Sequence, residues 1–171
     1  MKHYTGVGSR KTPKKWLDAM CRVGVILEEC GYVLRSGGAD GADEAFARSV
    51  TVKEVYVPWD GFNGLGSNVI SGACDKALAM AESIHPAWHR CSQGAQKLHG
   101  RNIYQVLGKG LDSPSEFLLC WTPNGEKVGG TATAIKLAES NGVKVYNFGN
   151  KAHVAEFHAF LKTILASAGV I

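Results

Sequence analysis

The chain has no long hydrophobic segment. No apolar run approaches the ~18 residues of a membrane-spanning helix, and the first residues lack the apolar stretch of a secretory signal peptide. These absences predict a soluble protein of the cytoplasm that has no membrane partner. Internal repeats and long linkers are also missing, so we expect residues 1–171 to form a single domain.

Cysteine pairs are absent as well. The five cysteines are odd in number and include no CxxC pair, which predicts reduced thiols and no disulfide framework. His85, His89, Cys91 and His99 lie close in sequence, but their spacing matches no closed structural zinc motif. We therefore expect a polar helix surface there and no metal site. No local Ser/His/Asp or Cys/His pattern indicates nucleophilic catalysis, so no catalytic residue is predicted.

Strong positive charge is also missing. The net charge is +4, and the pI of about 8.8 falls short of the value above ~9 that is typical of a dedicated nucleic-acid-binding domain. The only local basic cluster is Arg10-Lys11 with Lys14-Lys15. This balance is compatible with a small anionic ligand.

Glycine, in contrast, is abundant, and the 21 glycines cluster in loops that follow apolar runs. The stretch LRSGGADGADE at 34–44 follows one such run and leads into a helical pattern. Gly37 and Gly38 permit the close approach of a ligand, and a helix N-terminus attracts phosphate. Asp40 and Asp43 either cap the helix or hold a sugar hydroxyl. The alternative is a tight turn between strand and helix with ordinary aspartate caps.

The order of the elements predicts an α/β fold. Thr12 and Pro13 are expected to start the first helix, and Gly31 is expected to end it. The predicted strands lie at about 3–6, 32–35, 53–58, 116–121 and 143–148, and the predicted helices at about 13–30, 43–50, 70–108, 130–140 and 152–166. Pro86 and Gly94 interrupt the long helical region. Alternating strands and helices favour a parallel sheet covered by helices on both faces.

Three glycine-rich loops, at 6–10, 36–41 and 122–133, directly follow predicted strands. In a parallel sheet such loops meet at one edge, where ligands bind, so we expect them to form one site. Trp59 and Trp121 would stack on a base there, or else they are packing residues. Arg101 and Asn102 would read phosphate and sugar, or else they lie on a solvated helix face. The predicted ligand-binding residues are Gly8, Ser9, Arg10, Ser36, Gly37, Gly38, Asp40, Asp43, Trp59, Arg101, Asn102, Trp121, Gly129, Gly130, Thr131 and Thr133.

Several motifs together resemble the DprA/Smf-like proteins of the SLOG group, which also includes the LOG nucleoside-monophosphate phosphoribohydrolases. They are GVGSR near the start, RSGGADGAD after the second strand and GGTATAIKLAESNGVKVYNFG after the fourth. The runs HGRNIYQVLG and SEFLLCWTPNGEKVGG look like small stand-alone DprA-like proteins of bacteriophages. The resemblance covers about 4–149. It implies a Rossmann-like three-layer α/β/α fold with a mainly parallel sheet of about five strands. It also implies that the protein forms a homodimer or higher homo-oligomer and acts in a bacterial or phage-infected cell.

One departure from the LOG pattern bears on catalysis. LOG enzymes carry GGxGTxxE, whereas this chain has Ala132 at the third glycine and Lys136 at the glutamate. The resemblance therefore favours a non-catalytic protein that binds a phosphorylated nucleotide or a nucleotide-derived signal, for instance to sequester a signal of host defence, and that requires no cofactor. Two alternatives stay open. One is a DprA-like recombination mediator that binds single-stranded DNA, and the other is a phosphoribohydrolase that uses Asp40 or Glu44.

Overall fold

The computed structural model describes residues 1–171, in which strands and helices alternate along the chain. The strands are β1 (Lys2–Gly6), β2 (Tyr32–Ser36), β3 (Lys53–Val57), β4 (Val69–Ser71), β5 (Phe117–Cys120) and β6 (Lys144–Asn147). The helices are α1 (Lys14–Glu29), α2 (Ala42–Arg48), α3 (Asp75–Ile84), α4 (Gln93–Leu107), α5 (Thr131–Ser140) and α6 (Lys151–Ser167). Short 3₁₀ turns lie at 62–64, 88–90 and 123–125.

The six strands form one parallel sheet in the order β4-β3-β2-β1-β5-β6. The predicted α/β class with a parallel sheet is confirmed, but the sheet has six strands instead of five. The missed strand, β4, pairs Val69 with Val55 and Ser71 with Val57 at the edge of the sheet. It has only three residues, which is too short for an alternating pattern to be recognised in the sequence.

Helices cover both faces of the sheet and enclose two large hydrophobic cores, and a third, small cluster contains Val55, Val57 and Phe62. The α1-side core lies beneath α1, α2 and α6, and the α4-side core lies beneath α3, α4 and α5. Strand β5 supplies both cores, because Phe117 and Leu119 belong to the α1-side core while Leu118 and Cys120 belong to the α4-side core. All four residues are buried, as expected for a strand covered on both faces.

Two helix boundaries differ from the prediction. Helix α1 begins at Lys14, because Pro13 is still extended and the Thr12 hydroxyl donates to the Ser9 carbonyl at 2.6 Å instead of capping the helix. The predicted helical region 70–108 contains two helices, α3 and α4, whereas residues 70–71 belong to β4. Pro86 lies in the 85–92 segment between the helices, as predicted, but Gly94 lies inside α4 and does not interrupt it. Gly31 ends α1 with a φ of +84°, as predicted. None of the six helices has both the length and the apolar character needed to cross a membrane.

Candidate functional site

A cleft of about 490 Å³ opens between the loop that follows β1 and the loop that follows β5. From β1 the chain builds the sheet outward through β2, β3 and β4, and it then returns to add β5 and β6 on the other side. The order of the strands therefore reverses between β1 and β5. The loops that leave these two neighbouring strands diverge at such a switch point, and ligands of open α/β sheets bind in the crevice between them.

The loop after β1 forms one wall of the cleft. Its backbone continues the ladder along β5, since the Val7 N–H donates to the Leu119 carbonyl and the Ser9 N–H to the Trp121 carbonyl, both at 3.1 Å. Arg10 and Lys11 follow on the exposed rim, and neither forms an ion pair. The wall thus combines a backbone that is fixed to the sheet with two free positive charges.

The N-terminus of α5 forms the opposite wall, where Gly129, Gly130 and Thr131 line the cleft. No side chain caps this helix. The Ala132 N–H donates to the Gly129 carbonyl at 3.2 Å, which leaves the other N–H groups of the first turn for a ligand. The Asn102 Nδ2 donates to the Gly130 carbonyl at 2.9 Å and fixes the start of α5 against α4. The helix dipole adds a partial positive charge at this wall.

Arg101 and Asp43 form a buried, oppositely charged floor. The Arg101 side chain is about 5% exposed, and its Nη1 donates to the carbonyls of Gly37 and Tyr56. Burial lowers the pKa of Arg101, while the Asp43 carboxylate opposes that shift. Burial raises the pKa of Asp43 to about 6, although Arg101 and the backbone N–H groups of the neighbouring loops favour its charged form. The pKa of this cleft carboxyl therefore lies above the ordinary aspartate value.

Gln105 completes the floor from the next turn of α4. Its side chain is about 1% exposed, it lines the cleft, and its Nε2 has no hydrogen-bond partner in the protein. A buried amide donor without an acceptor destabilises the folded chain by roughly 1–3 kcal/mol. Such unpaired groups are few in native proteins, and this one belongs to a residue that lines the cleft.

Nine of the predicted ligand-binding residues line the cleft together. They are Gly8, Ser9, Arg10, Asp43, Arg101, Asn102, Gly129, Gly130 and Thr131. The two loops at 6–10 and 122–133 thus meet as the sequence predicts. The loop at 36–41 contributes only through Ala39, and helix α2 contributes Asp43.

Three predicted residues at the end of β2 and in the β2–α2 loop lie outside the cleft lining. The Ser36 hydroxyl is buried and donates to the Gly6 carbonyl at 2.7 Å. The Gly37 carbonyl accepts from Arg101. Gly38 packs closely against its neighbours, since a Cβ there would lie 2.7 Å from Leu65 Cδ1 and 3.2 Å from Val57 Cγ1. These residues hold the loop in place beneath the site, and their role toward a ligand stays a prediction.

Four further predicted residues also lie outside the lining. Asp40 is exposed, and its carboxylate accepts from Asn63 Nδ2 at 3.5 Å. Trp59 packs edge-on against Phe62, with 5.3 Å between the ring centroids. Trp121 packs against the α1-side core, and the Thr133 hydroxyl lies 2.8 Å from His99 Nδ1.

The carboxylates that the hydrolase alternative invokes lie apart from the cleft. Asp40 and Glu44 are both exposed, and neither belongs to the lining. Lys136, at the position of the LOG glutamate, also lies outside it. Asp43 is the carboxyl that lines the cleft.

Sequence reasoning missed three polar residues that line the cleft: Lys11, His99 and Gln105. A helical pattern could have indicated Gln105, which lies four residues after Arg101 and therefore on the same face of α4. His99 is half-buried, and its pKa is lowered by burial and by the neighbouring charges of His85 and Arg101. Of the histidines and the cysteine expected on a polar surface, His89 is exposed, whereas His85, Cys91 and His99 are partly buried and lie together.

Searches against protein-family models, curated proteins and solved structures find no match to this chain.

Proposed function

We propose that this protein binds a phosphorylated nucleotide, or a signal derived from one, without cleaving it. The observation that carries the proposal is the position of the cleft. It lies at the switch point of a parallel sheet, with the β1 loop on one side and the uncapped N-terminus of α5 on the other. A helix N-terminus and a glycine-containing loop after a strand are the elements with which α/β folds hold phosphate.

The phosphate would lie between these two walls. N–H groups from the first turn of α5 would donate to its oxygens, and the Thr131 hydroxyl would add a further donor. Arg10 and Lys11, which form no ion pair within the chain, would neutralise its charge from the rim. Arg101 is expected to act from below as a buried charge, since its Nε and Nη1 are occupied by protein acceptors.

The rest of the nucleotide would lie over the floor formed by α4. The volume of about 490 Å³ falls within the range of roughly 300–1,000 Å³ for small-molecule sites. Asp43, when ionised, would accept from a hydroxyl.

Binding without cleavage is favoured because Asp40 and Glu44 do not line the cleft and Lys136 replaces the LOG glutamate. In a bacterial or phage-infected cell, such a protein would sense or sequester the nucleotide. No observation specifically favours binding of single-stranded DNA, and the titration with oligonucleotides tests it.

The test is a calorimetric titration with nucleoside monophosphates, NAD, ADP-ribose and its cyclic forms, cyclic dinucleotides and short single-stranded oligonucleotides. Arg10→Ala should weaken binding of the responding nucleotide by about tenfold, since a hydrogen bond to a charged group contributes roughly 1.5–3 kcal/mol before solvent screening. Lys15→Ala is the matched control, because it removes the same charge from an exposed position outside the cleft. It should change the affinity less than twofold.

Three results would contradict the proposal. Equal weakening by Arg10→Ala and Lys15→Ala would place the ligand elsewhere. Chromatographic detection of a released free base would indicate a hydrolase. A response to oligonucleotides alone, lost at high salt, would indicate a single-stranded DNA-binding protein.

A further inference from the structure

The connection between α3 and α4 brings three metal-ligand side chains together. His85 follows the last residue of α3, Cys91 follows the 3₁₀ turn at 88–90, and His99 lies in α4. One ring nitrogen of each histidine and the Cys91 sulfur all lie within 4.8 Å of one another. All three residues are partly buried. Two imidazoles and a thiol that converge in this way form a set of soft and borderline ligands that suits zinc.

The distance between Cys91 and His85 is close to that across a bound ion, whereas His99 lies within 4.8 Å of both. The Cys91 Sγ lies 3.7 Å from His85 Nε2 and 3.9 Å from Nδ1. A tetrahedral Zn²⁺ with Zn–S of about 2.3 Å and Zn–N of about 2.0–2.1 Å separates sulfur from nitrogen by about 3.6 Å. The His85 and His99 rings are 4.6 Å apart between centroids. A hydrogen bond between Cys91 and His85 would explain the first contact, but it would not bring His99 to the same point.

The neighbouring hydrogen bonds orient one of the ligands. The His99 Nδ1 lies 2.8 Å from the Thr133 hydroxyl, which can accept its N–H and leave the Nε2 lone pair free. Metal-bound histidines are usually held in this way by an outer-shell acceptor. His85 Nδ1 accepts from the Ala87 N–H at 3.0 Å. Coordination through Nδ1 would use the lone pair that accepts this bond, and coordination through Nε2 would put the ring proton on Nδ1, so either mode replaces the bond to Ala87. Rotation of the ring about χ2 presents either nitrogen to the ion.

We propose that His85, Cys91 and His99 form a Zn²⁺ site whose fourth tetrahedral position is taken by water. Cys91 binds as the thiolate, and its proton passes to solvent. His99 also lines the nucleotide cleft, whereas His85 and Cys91 do not. The ion would therefore join α4 to the 85–91 segment at the side of the cleft and fix the His99 ring. This site stands independently of the proposed nucleotide binding.

The test uses untagged protein that has been stripped with a chelator and titrated with Co²⁺. We expect one equivalent to bind, with a thiolate-to-cobalt charge-transfer band in the near ultraviolet and the strong visible bands of tetrahedral Co²⁺. Zn²⁺ should displace it. Cys91→Ser should abolish the charge-transfer band, and His85→Ala should remove the tetrahedral visible spectrum. Thr133→Val, which keeps all three ligands, should weaken binding by about 10–100-fold.

The matched controls are Cys74→Ser and His89→Ala, which change an exposed cysteine and an exposed histidine outside the cluster. Both should bind Co²⁺ like the unchanged protein. The proposal is overturned if the unchanged protein binds less than one equivalent or shows no thiolate band. It is also overturned if Cys91→Ser, folded by circular dichroism, keeps the band. The Co²⁺ titration of the unchanged protein tests the proposed site even where a variant fails to fold.

Discussion

At the scale of single residues, the cleft floor is polar, and one of its buried polar groups has no hydrogen-bond partner. Arg101 is held by protein carbonyls, and Asp43 accepts from the Ala39 N–H at 3.3 Å, whereas Gln105 Nε2 has no partner. Burying charges and amides together is costly unless each group is paired. The unpaired Gln105 amide is therefore a destabilising feature of this floor.

Asp43 should make both stability and anion binding depend on pH. The pKa of Asp43 is about 6 in the folded chain and 3.8 in the reference state, so the folded chain keeps a proton that the unfolded chain has released. The stabilisation from Asp43 is complete below pH ~4 and is lost as the pH rises through about 6, on the order of 3 kcal/mol in total. Urea unfolding of the unchanged protein and of Asp43→Asn across this window measures the difference.

Protonation of Asp43 should also raise the affinity of the cleft for an anion. Sulfate, whose charge is constant above pH 4, should bind about fivefold more tightly at pH 5 than at pH 7.5, because neutral Asp43 no longer repels it. His99 also lines the cleft, and burial together with the charges of His85 and Arg101 lowers its pKa. Asp43→Asn keeps His99, so the difference between the two proteins isolates Asp43. An identical pH profile for both would contradict the assignment.

At the scale of elements, three segments are fixed by contacts with α4. Arg101 holds the β2–α2 loop through the Gly37 carbonyl, and Asn102 holds the start of α5 through the Gly130 carbonyl. Thr5, at the sheet, donates from its hydroxyl to the Gln105 carbonyl at 2.6 Å. Helix α4 therefore sets the distance between the loops that form the cleft.

Gly37→Ala should destabilise the protein because the β2–α2 loop leaves no room for a side chain. A Cβ there would lie 2.7 Å from both Arg101 Nη1 and Asp43 Oδ2, and it would also overlap the Gln105 amide. We expect a loss of about 1–3 kcal/mol in the free energy of unfolding, measured in urea. Gly66→Ala is the control, since a Cβ at Gly66 meets nothing within 4 Å. A loss of the same size in both variants would show that the packing around Gly37 is not the cause.

At the scale of the whole molecule, the cleft lies between two parts of one sheet. The β1 loop belongs to the side that carries β1–β4, and the α5 wall belongs to the side that carries β5 and β6. A ligand that contacts both walls binds only when the two parts are folded together. Its binding energy then stabilises the whole chain.

A nucleotide that binds the cleft should therefore raise the melting temperature. At 100 times its dissociation constant it adds about 2.7 kcal/mol, which corresponds to roughly 5–10 °C for a chain of this length. Differential scanning calorimetry measures the shift, and Lys15→Ala should preserve it. A calorimetrically proven ligand that leaves the melting temperature unchanged at this excess would contradict binding to the folded state alone.

Much of the fold could be predicted because it follows from local patterns. Unbroken apolar runs such as Phe117–Cys120 indicated buried strands, and Gly31 indicated a helix end. The positions of Gly8, Ser9 and Gly130 at one edge followed from a general property of parallel sheets. Strand β4 was not predictable in this way, since three residues at a sheet edge carry too little pattern.

Local patterns are enough to predict the α/β class, the alternation of strands and helices, and the meeting of two glycine-containing loops, because periodicity and turn chemistry are local properties. The folded chain adds three features that these patterns do not predict: which side chains of α4 line the cleft, the burial of Asp43 beside Arg101, and the convergence of His85, Cys91 and His99. These features depend on how α4 packs against the sheet and against the preceding segment. Contacts between residues distant in the chain are fixed by that packing, and no single stretch of sequence encodes them.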